Sequence, residues 1–173
     1  YKSIGNANLL IENATKSAST STAIKSTSLG EGYFIRAFSY LRLVSQYGAV
    51  PLQLESLSTV KLEFTRSEPK DVYAQIIADL NKAKDLLPTT GAPSKITKNA
   101  ALHFLAKAHL FRASEINSAW NSATIATDLS TAVTLCDQVI AGHPLAADFG
   151  AIWDYRGPNS ASERLPEIIL SAQ

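Results

Sequence analysis

The sequence predicts an all-α fold, an array of antiparallel helical pairs with one short β segment near the C-terminus. Three observations carry that prediction. Apolar residues recur at the 3.6-residue period in five stretches of the chain. Glycine and proline close three of those stretches, at Gly48 with Pro51, Pro88 with Gly91, and Gly142 with Pro144. Only one run, residues 167–171, has a β-type composition.

Tyr1, Ile4, Ala7, Ile11 and Ala14 share one helical face, so the chain opens in or just before a helix. Residues 15–27 are rich in Ser and Thr with little to bury, and read as a loop. Ser28 and Glu31 have capping-box spacing, which starts a helix at about residue 29. Gly48 ends it near Tyr47. Phe34, Ala37, Phe38, Leu41 and Val44 form one face, while Arg36, Tyr40, Leu43 and Tyr47 form the other. Both faces are bulky, which predicts a central helix packed on two sides, with Tyr40 and Tyr47 buried and Arg36 reaching a carboxylate or carbonyl.

An extended piece at 52–54 and a loop lead to a helix capped by Ser67, with Pro69 and Asp71 in its first turn. Val72, Ile76, Leu80, Ala83 and Leu87 line its inner face; Asp79 and Asp85 read as a solvated one. Thr97 caps the next helix, whose inner face is Ala101, Phe104, Leu105, Ala108 and Phe111. Its many alanines allow a neighbour to approach closely. Ala100 and Phe104 have the Ala-x-x-x-Phe spacing of the second helix in tetratricopeptide units, so residues 72–87 and 98–113 read as one such pair. The array is therefore tetratricopeptide-like, with a repeat longer than the roughly 34-residue consensus. A polar insert at 114–122 carries Trp120, and a helix at 124–141 turns Leu129, Ala132, Val133, Cys136 and Ile140 inward. Beyond His143 the apolar anchors are scattered, with Trp153 read as core, and residues 155–162 are rich in turn formers.

The segment GEGYFIRAFSYLRLVSQYGAVPL resembles the most characteristic stretch of the SusD/RagB family, outer-membrane nutrient-binding lipoproteins of Bacteroidetes. Glu31, Phe34, Ile35, Arg36, Ala37, Tyr40, Tyr47, Gly48, Val50 and Pro51 stand at the family's positions. Tyr1 to Asn8, Arg66 to Ala113 and Glu167 to Leu170 resemble three further family blocks. The resemblance implies a tetratricopeptide-like scaffold, a glycan or peptide ligand, and delivery to a TonB-dependent, SusC-like transporter. It also implies attachment at the cell surface of the outer membrane through a lipid anchor upstream of this chain. Residues 1–173 then form a single N-terminal unit, with signal, anchor and C-terminal half outside it. The absence of methionine agrees, because Tyr1 is no translation start.

Composition excludes several other classes. A net charge of +1 with dispersed basic residues is no footprint for nucleic acid. No apolar run reaches the roughly 18 residues of a membrane span. The single cysteine, Cys136, forms no internal disulfide and reads as a small buried apolar residue. No His-Glu-x-x-His, phosphate loop or Gly-x-Ser-x-Gly elbow is present, and His103 and His109 fall on different helix faces. The expectation is a binding protein with no catalytic residues, metal or cofactor. Trp120, Tyr155, Arg156 and Asn159 are the candidate ligand residues, because aromatic faces beside polar forks suit a sugar. The competing reading is a soluble tetratricopeptide-type adaptor for a protein or peptide; a lipoprotein signal upstream of Tyr1 separates the two.

Overall fold

A computed structural model describes residues 1–170 apart from 19, 58, 60, 93, 155 and 157–160. Among these residues there are six α-helices: α1 (Lys2–Lys16), α2 (Thr22–Tyr47), α3 (Pro69–Leu86), α4 (Lys98–Arg112), α5 (Ile125–Gly142) and α6 (Gly150–Trp153). Short 3-10 turns at Glu115–Asn117 and Ala161–Arg164 complete the regular structure. From α1 to α5 each helix packs on its neighbour in sequence, and α2 also touches α4. This is the serial packing of a helical-repeat array.

The core lies between α2, α3 and α4. Tyr40, Val72, Ile76, Leu80 and Leu105 are fully buried there. Phe104 of α4 sets its edge against Phe34 and Phe38 of α2, with ring centres 5.5 and 5.1 Å apart. Edge-to-face rings of this kind add to the apolar burial. Ala100, Ala101, Ala106 and Ala108 are all buried, as their small size predicts. On the other side of α2, a Cβ added to Gly32 would lie 2.8 Å from Ile11 Cγ1, so α1 sits too close for any larger residue.

α2 starts two turns earlier than its internal capping box predicts. Ser21 is the cap, accepting from the Ile24 amide at 3.4 Å. The polar first turns are held by partners distant in sequence. Ser26 Oγ donates to the Leu86 carbonyl at 3.0 Å, and Lys25 Nζ donates to the carbonyls of Thr15 and Ser17. Tertiary bonds therefore override weak local propensity, and among the described residues of the Ser/Thr-rich tract only 17, 18, 20 and 21 lie outside a helix.

Four other expectations are corrected. Asp79 is fully buried rather than solvated. Tyr47 is exposed, because the last turn of α2 meets the core through Val44 and turns Tyr47 outward. In α5 the period is right but the phase differs: Asp128, Ala132, Leu135 and Val139 face inward, leaving Leu129, Val133, Cys136 and Ile140 exposed. Asp128 fixes that phase through its bonds to α4, described below. Trp153 is 71% exposed; its ring meets Phe149, and α6 packs on the adjacent 3-10 turn.

The predicted β segment is not seen. Residues 167–170 form turn and irregular backbone, and Ser171 lies outside the described residues. A strand needs a partner for its amide and carbonyl groups. The one bridge among the described residues, Val50 to Ser67, is elsewhere.

Candidate functional site

Gly48 adopts φ 66°, a left-handed conformation that turns the chain out of α2. Val50 then pairs with Ser67, whose amide donates to the Val50 carbonyl at 2.9 Å. The intervening segment, 51–66, is thus closed at its base. A buried polar network fixes its first half. Arg36 Nε and Nη2 donate to Asp79 Oδ2 and Oδ1 at 2.7 and 2.8 Å, a bidentate pair between α2 and α3. Arg36 Nη1 donates to Asn8 Oδ1 and to the Leu54 carbonyl, both at 3.0 Å. Asn8 Nδ2 donates onward to the carbonyls of Gln53 and Glu55. Tyr40 Oη donates to the Gln53 carbonyl at 2.9 Å and accepts from its amide at 2.5 Å. Burial pushes the Tyr40 phenol up to about 12.

This bracing ties segment 51–57 to α1 through Asn8, and beside that contact a groove of about 740 Å³ lies between them. Ile4, Leu9, Pro51, Leu57 and Phe64 give it apolar walls, and Tyr1 stands at one end. Glu12, Asn13, Gln53, Glu55 and Ser56 form a polar rim. Hydrogen bonds from Lys16 and Ser56 hold the Glu12 carboxyl below its ordinary range. Apolar walls with a few convergent polar groups are the chemistry of a small-molecule site. The sequence carried a signal for this groove: segment 51–66 has Leu54, Leu57, Leu62 and Phe64, unusually many large apolar residues for a connecting loop.

A second cleft, of about 730 Å³, lies between the 89–92 turn, the start of α4 and residues 164–169. His143 closes its floor. Asn99 Nδ2 donates to His143 Nε2 at 3.0 Å, and His143 Nδ1 donates to the Pro166 carbonyl at 2.6 Å.

Of the residues singled out for ligand contact, Trp120 and Arg156 are described. Trp120 is half-buried in the 114–124 insert and packs on Tyr73, ring centres 6.0 Å apart. The insert is pinned from below: Asn121 Nδ2 donates to the carbonyls of Arg112 and Ser114, and Asn117 Nδ2 to that of Phe111. Arg156 is exposed and forks onto Asp154 at 2.8–3.1 Å. Tyr155 and Asn159 lie outside the described residues. Among the described residues, no contact joins Trp120 to Arg156.

Two charged clusters sit at helix junctions, one of them behind the wall of the groove. Besides the Arg36–Asp79 pair, Asp128 of α5 accepts from Arg112 Nε and Nη2 at 2.8 and 2.5 Å and from His109 Nδ1 at 2.7 Å. Burial acts to raise the Asp128 pKa, but the Arg112 and His109 hydrogen bonds outweigh it and hold the carboxyl low. Among the described residues no group of three or more His, Cys, Asp or Glu is placed to hold a metal ion, and no helix is long and apolar enough to cross a membrane.

Serially packed antiparallel helices with pinned loops define this chain as a helical-repeat scaffold of the tetratricopeptide kind. Comparison with known proteins sharpens that class. Residues 1–110 match the model of a SusD-like family described as starch-binding and associating with the outer membrane, and the chain belongs to that family. A curated SusD-like protein, P2 of Formosa agariphila, is 34% identical over 118 residues, 65% of this chain and 23% of the relative. A SusD superfamily protein of Bacteroides fragilis has a crystal structure that superposes with a TM-score of 0.74 at 31% identity, over 86% of this chain and 31% of that one. A crystal structure described as being with xylogluco-oligosaccharide gives a TM-score of 0.76 at 25% identity, over 88% of this chain and 30% of that one. The matched part of the chain thus spans 23 to 31% of the length of these relatives.

Proposed function

We propose that this chain is the N-terminal scaffold of a longer protein that captures a glycan at the outer membrane and delivers it to a TonB-dependent, SusC-like transporter. The observation that carries this reading is the match of residues 1–110 to a family described as starch-binding and associating with the outer membrane. The similarity to a structure solved with xylogluco-oligosaccharide supports an oligosaccharide as the ligand class. The protein binds and hands over; it performs no chemistry on its ligand and needs no cofactor. A lipid anchor upstream of Tyr1 holds it at the cell surface. Residues 1–173 act as one unit of that protein, with loops and not helices meeting the ligand.

Trp120, Tyr155, Arg156 and Asn159 are the proposed ligand contacts on this chain. Trp120 is only half-buried and Arg156 is exposed, which supports the assignment. Titration calorimetry of the longer gene product against a panel of neutral oligosaccharides tests ligand class; no heat with any member overturns it. Trp120→Ala and Arg156→Ala should each weaken the responding sugar about tenfold, or 1.4 kcal/mol. Unchanged affinity in both would remove these residues from the site. Affinity purification from native outer membranes should recover a TonB-dependent barrel; its repeated absence counts against the delivery role.

A further inference from the structure

We infer that the outer face of α5 is a seat for polypeptide of the same chain beyond residue 173, laid along Leu129, Val133, Cys136 and Ile140. This rests on reading the chain as the leading part of a longer SusD-like protein. The first observation is an asymmetry between the two ends of the array. Terminal helices of a stacked array need a polar outer face. At one end, α1 turns Lys2, Ser3, Asn6, Asn13 and Lys16 outward, and its exposed Leu9 belongs to the groove. At the other end, α5 turns out Leu129, Val133 and Ile140 at 43, 62 and 63% exposure, with Cys136 between them.

The spacing is the second observation. Positions 129, 133, 136 and 140 form one stripe of about three helical turns, the pattern by which a helix meets another element. It repeats, one residue on, the stripe 128, 132, 135 and 139 that α5 already buries. The helix is built to be packed on two sides, as α2 is; α4 covers one, while on the other Leu145, Glu167 and Ile169 stand beside Cys136 and Ile140 and leave Leu129 and Val133 exposed.

The third observation says what covers it. Glu167 and Ile169 line a hollow of about 230 Å³ together with Cys136, Ile140 and Leu145. Glu167 is tied there by accepting from the Ala146 amide at 2.9 Å, and Pro166 by His143. The described chain therefore runs up to one end of the stripe. The relatives it matches are nearly three times its length, so abundant polypeptide is available to continue along α5. A second copy is a poorer fit. Four side chains over about 17 Å of helix fall short of the roughly 800 Å² per partner of a standard interface. A tethered element meets no comparable association cost.

Cys136 reports the answer. In the full-length gene product, its labelling by a thiol reagent is followed by peptide mass mapping, in native buffer and in urea. Native labelling at least tenfold slower than in urea is expected, at a rate independent of protein concentration. Val133→Glu should accelerate it about tenfold, and Val133→Ser, which keeps the helix neutral, should accelerate it less. Native labelling within twofold of the unfolded rate overturns the proposal. So does protection that disappears on hundredfold dilution, which would assign the face to a second copy, and so does a natural product that ends at residue 173. Glycan binding and barrel recovery enter none of these readouts, so their failure is separable from failure here.

Discussion

Asp79 and Asp128 make the same interaction at different places in the array. Each is a fully buried carboxylate gripped by a bidentate arginine from the preceding helix. Around Asp79 the pair is enclosed: Arg36 is itself buried, Gln75 adds a donor at 2.9 Å, and Asn8 and the Leu54 carbonyl take the two Nη1 hydrogens. One cluster thus joins α1, α2, α3 and the segment that walls the groove. Around Asp128 the arginine is partly exposed, a histidine supplies the third bond, and only α4 and α5 are joined. The difference is one of connectivity. The inner pair locks four pieces of chain; the outer pair chooses which side of α5 turns inward.

Replacing Arg36 by Met is the most severe way to break this comparison. It strands Asp79 without its counter-charge, at a cost of about 3–5 kcal/mol, measured by urea unfolding. Arg36→Met combined with Asp79→Leu should lose less than Arg36→Met alone, because no buried charge is then left unpaired. At the outer junction, Arg112→Met should cost only about 1.5–3 kcal/mol, the scale of hydrogen bonds to a charged group. His109 remains as a partner there and water can reach the gap. If the two arginine variants prove equally damaging, connectivity is not what distinguishes the sites.

Acid sharpens the contrast further. The Asp128 pKa is held low in the folded state, so the unfolded chain takes up its proton first as pH falls. The contribution of Asp128 is complete above the ordinary aspartate pKa of about 3.9 and drains away below it. Asp128→Asn should flatten the acid limb of a stability–pH profile in that window. The smallest effect is expected on α5's other side. Val133→Ser in this 173-residue chain should change stability by no more than about 0.5 kcal/mol, as at other exposed positions.

Much of this was legible in the residues themselves. The two-sided α2, its exit at Gly48, the Phe34–Phe38–Phe104 cluster and the close alanine-rich α4 all follow from period and punctuation. Arg36 was recognisable as a buried cation in need of a partner. Asp79 was not, although Val72, Ile76, Asp79 and Ala83 share one stripe; a charge on an apolar stripe stays buried only when a distant residue meets it. The same logic misled the reading of α5. Its more apolar stripe looked like the inner one, but the phase was decided by Arg112 and His109, on another helix. The groove beside α1 depends on long-range bonds through Asn8 and Tyr40, which no local pattern announces. Trp120 and Arg156 sit in loops whose positions the helical period does not govern.

The early start of α2 also sets an order in time. Its opening turns lean on the Leu86 carbonyl, which leaves the ribosome 60 residues after Ser26 does. Before then those turns have only the Ser21 cap and the Lys25 bonds to Thr15 and Ser17 to hold them. α2 is therefore expected to form first from about residue 29 onward and to lengthen backwards, toward its N-terminus, as α3 docks. A nascent chain stalled ahead of Leu86 would then leave residues 22–28 open to protease, and one stalled well beyond it would not.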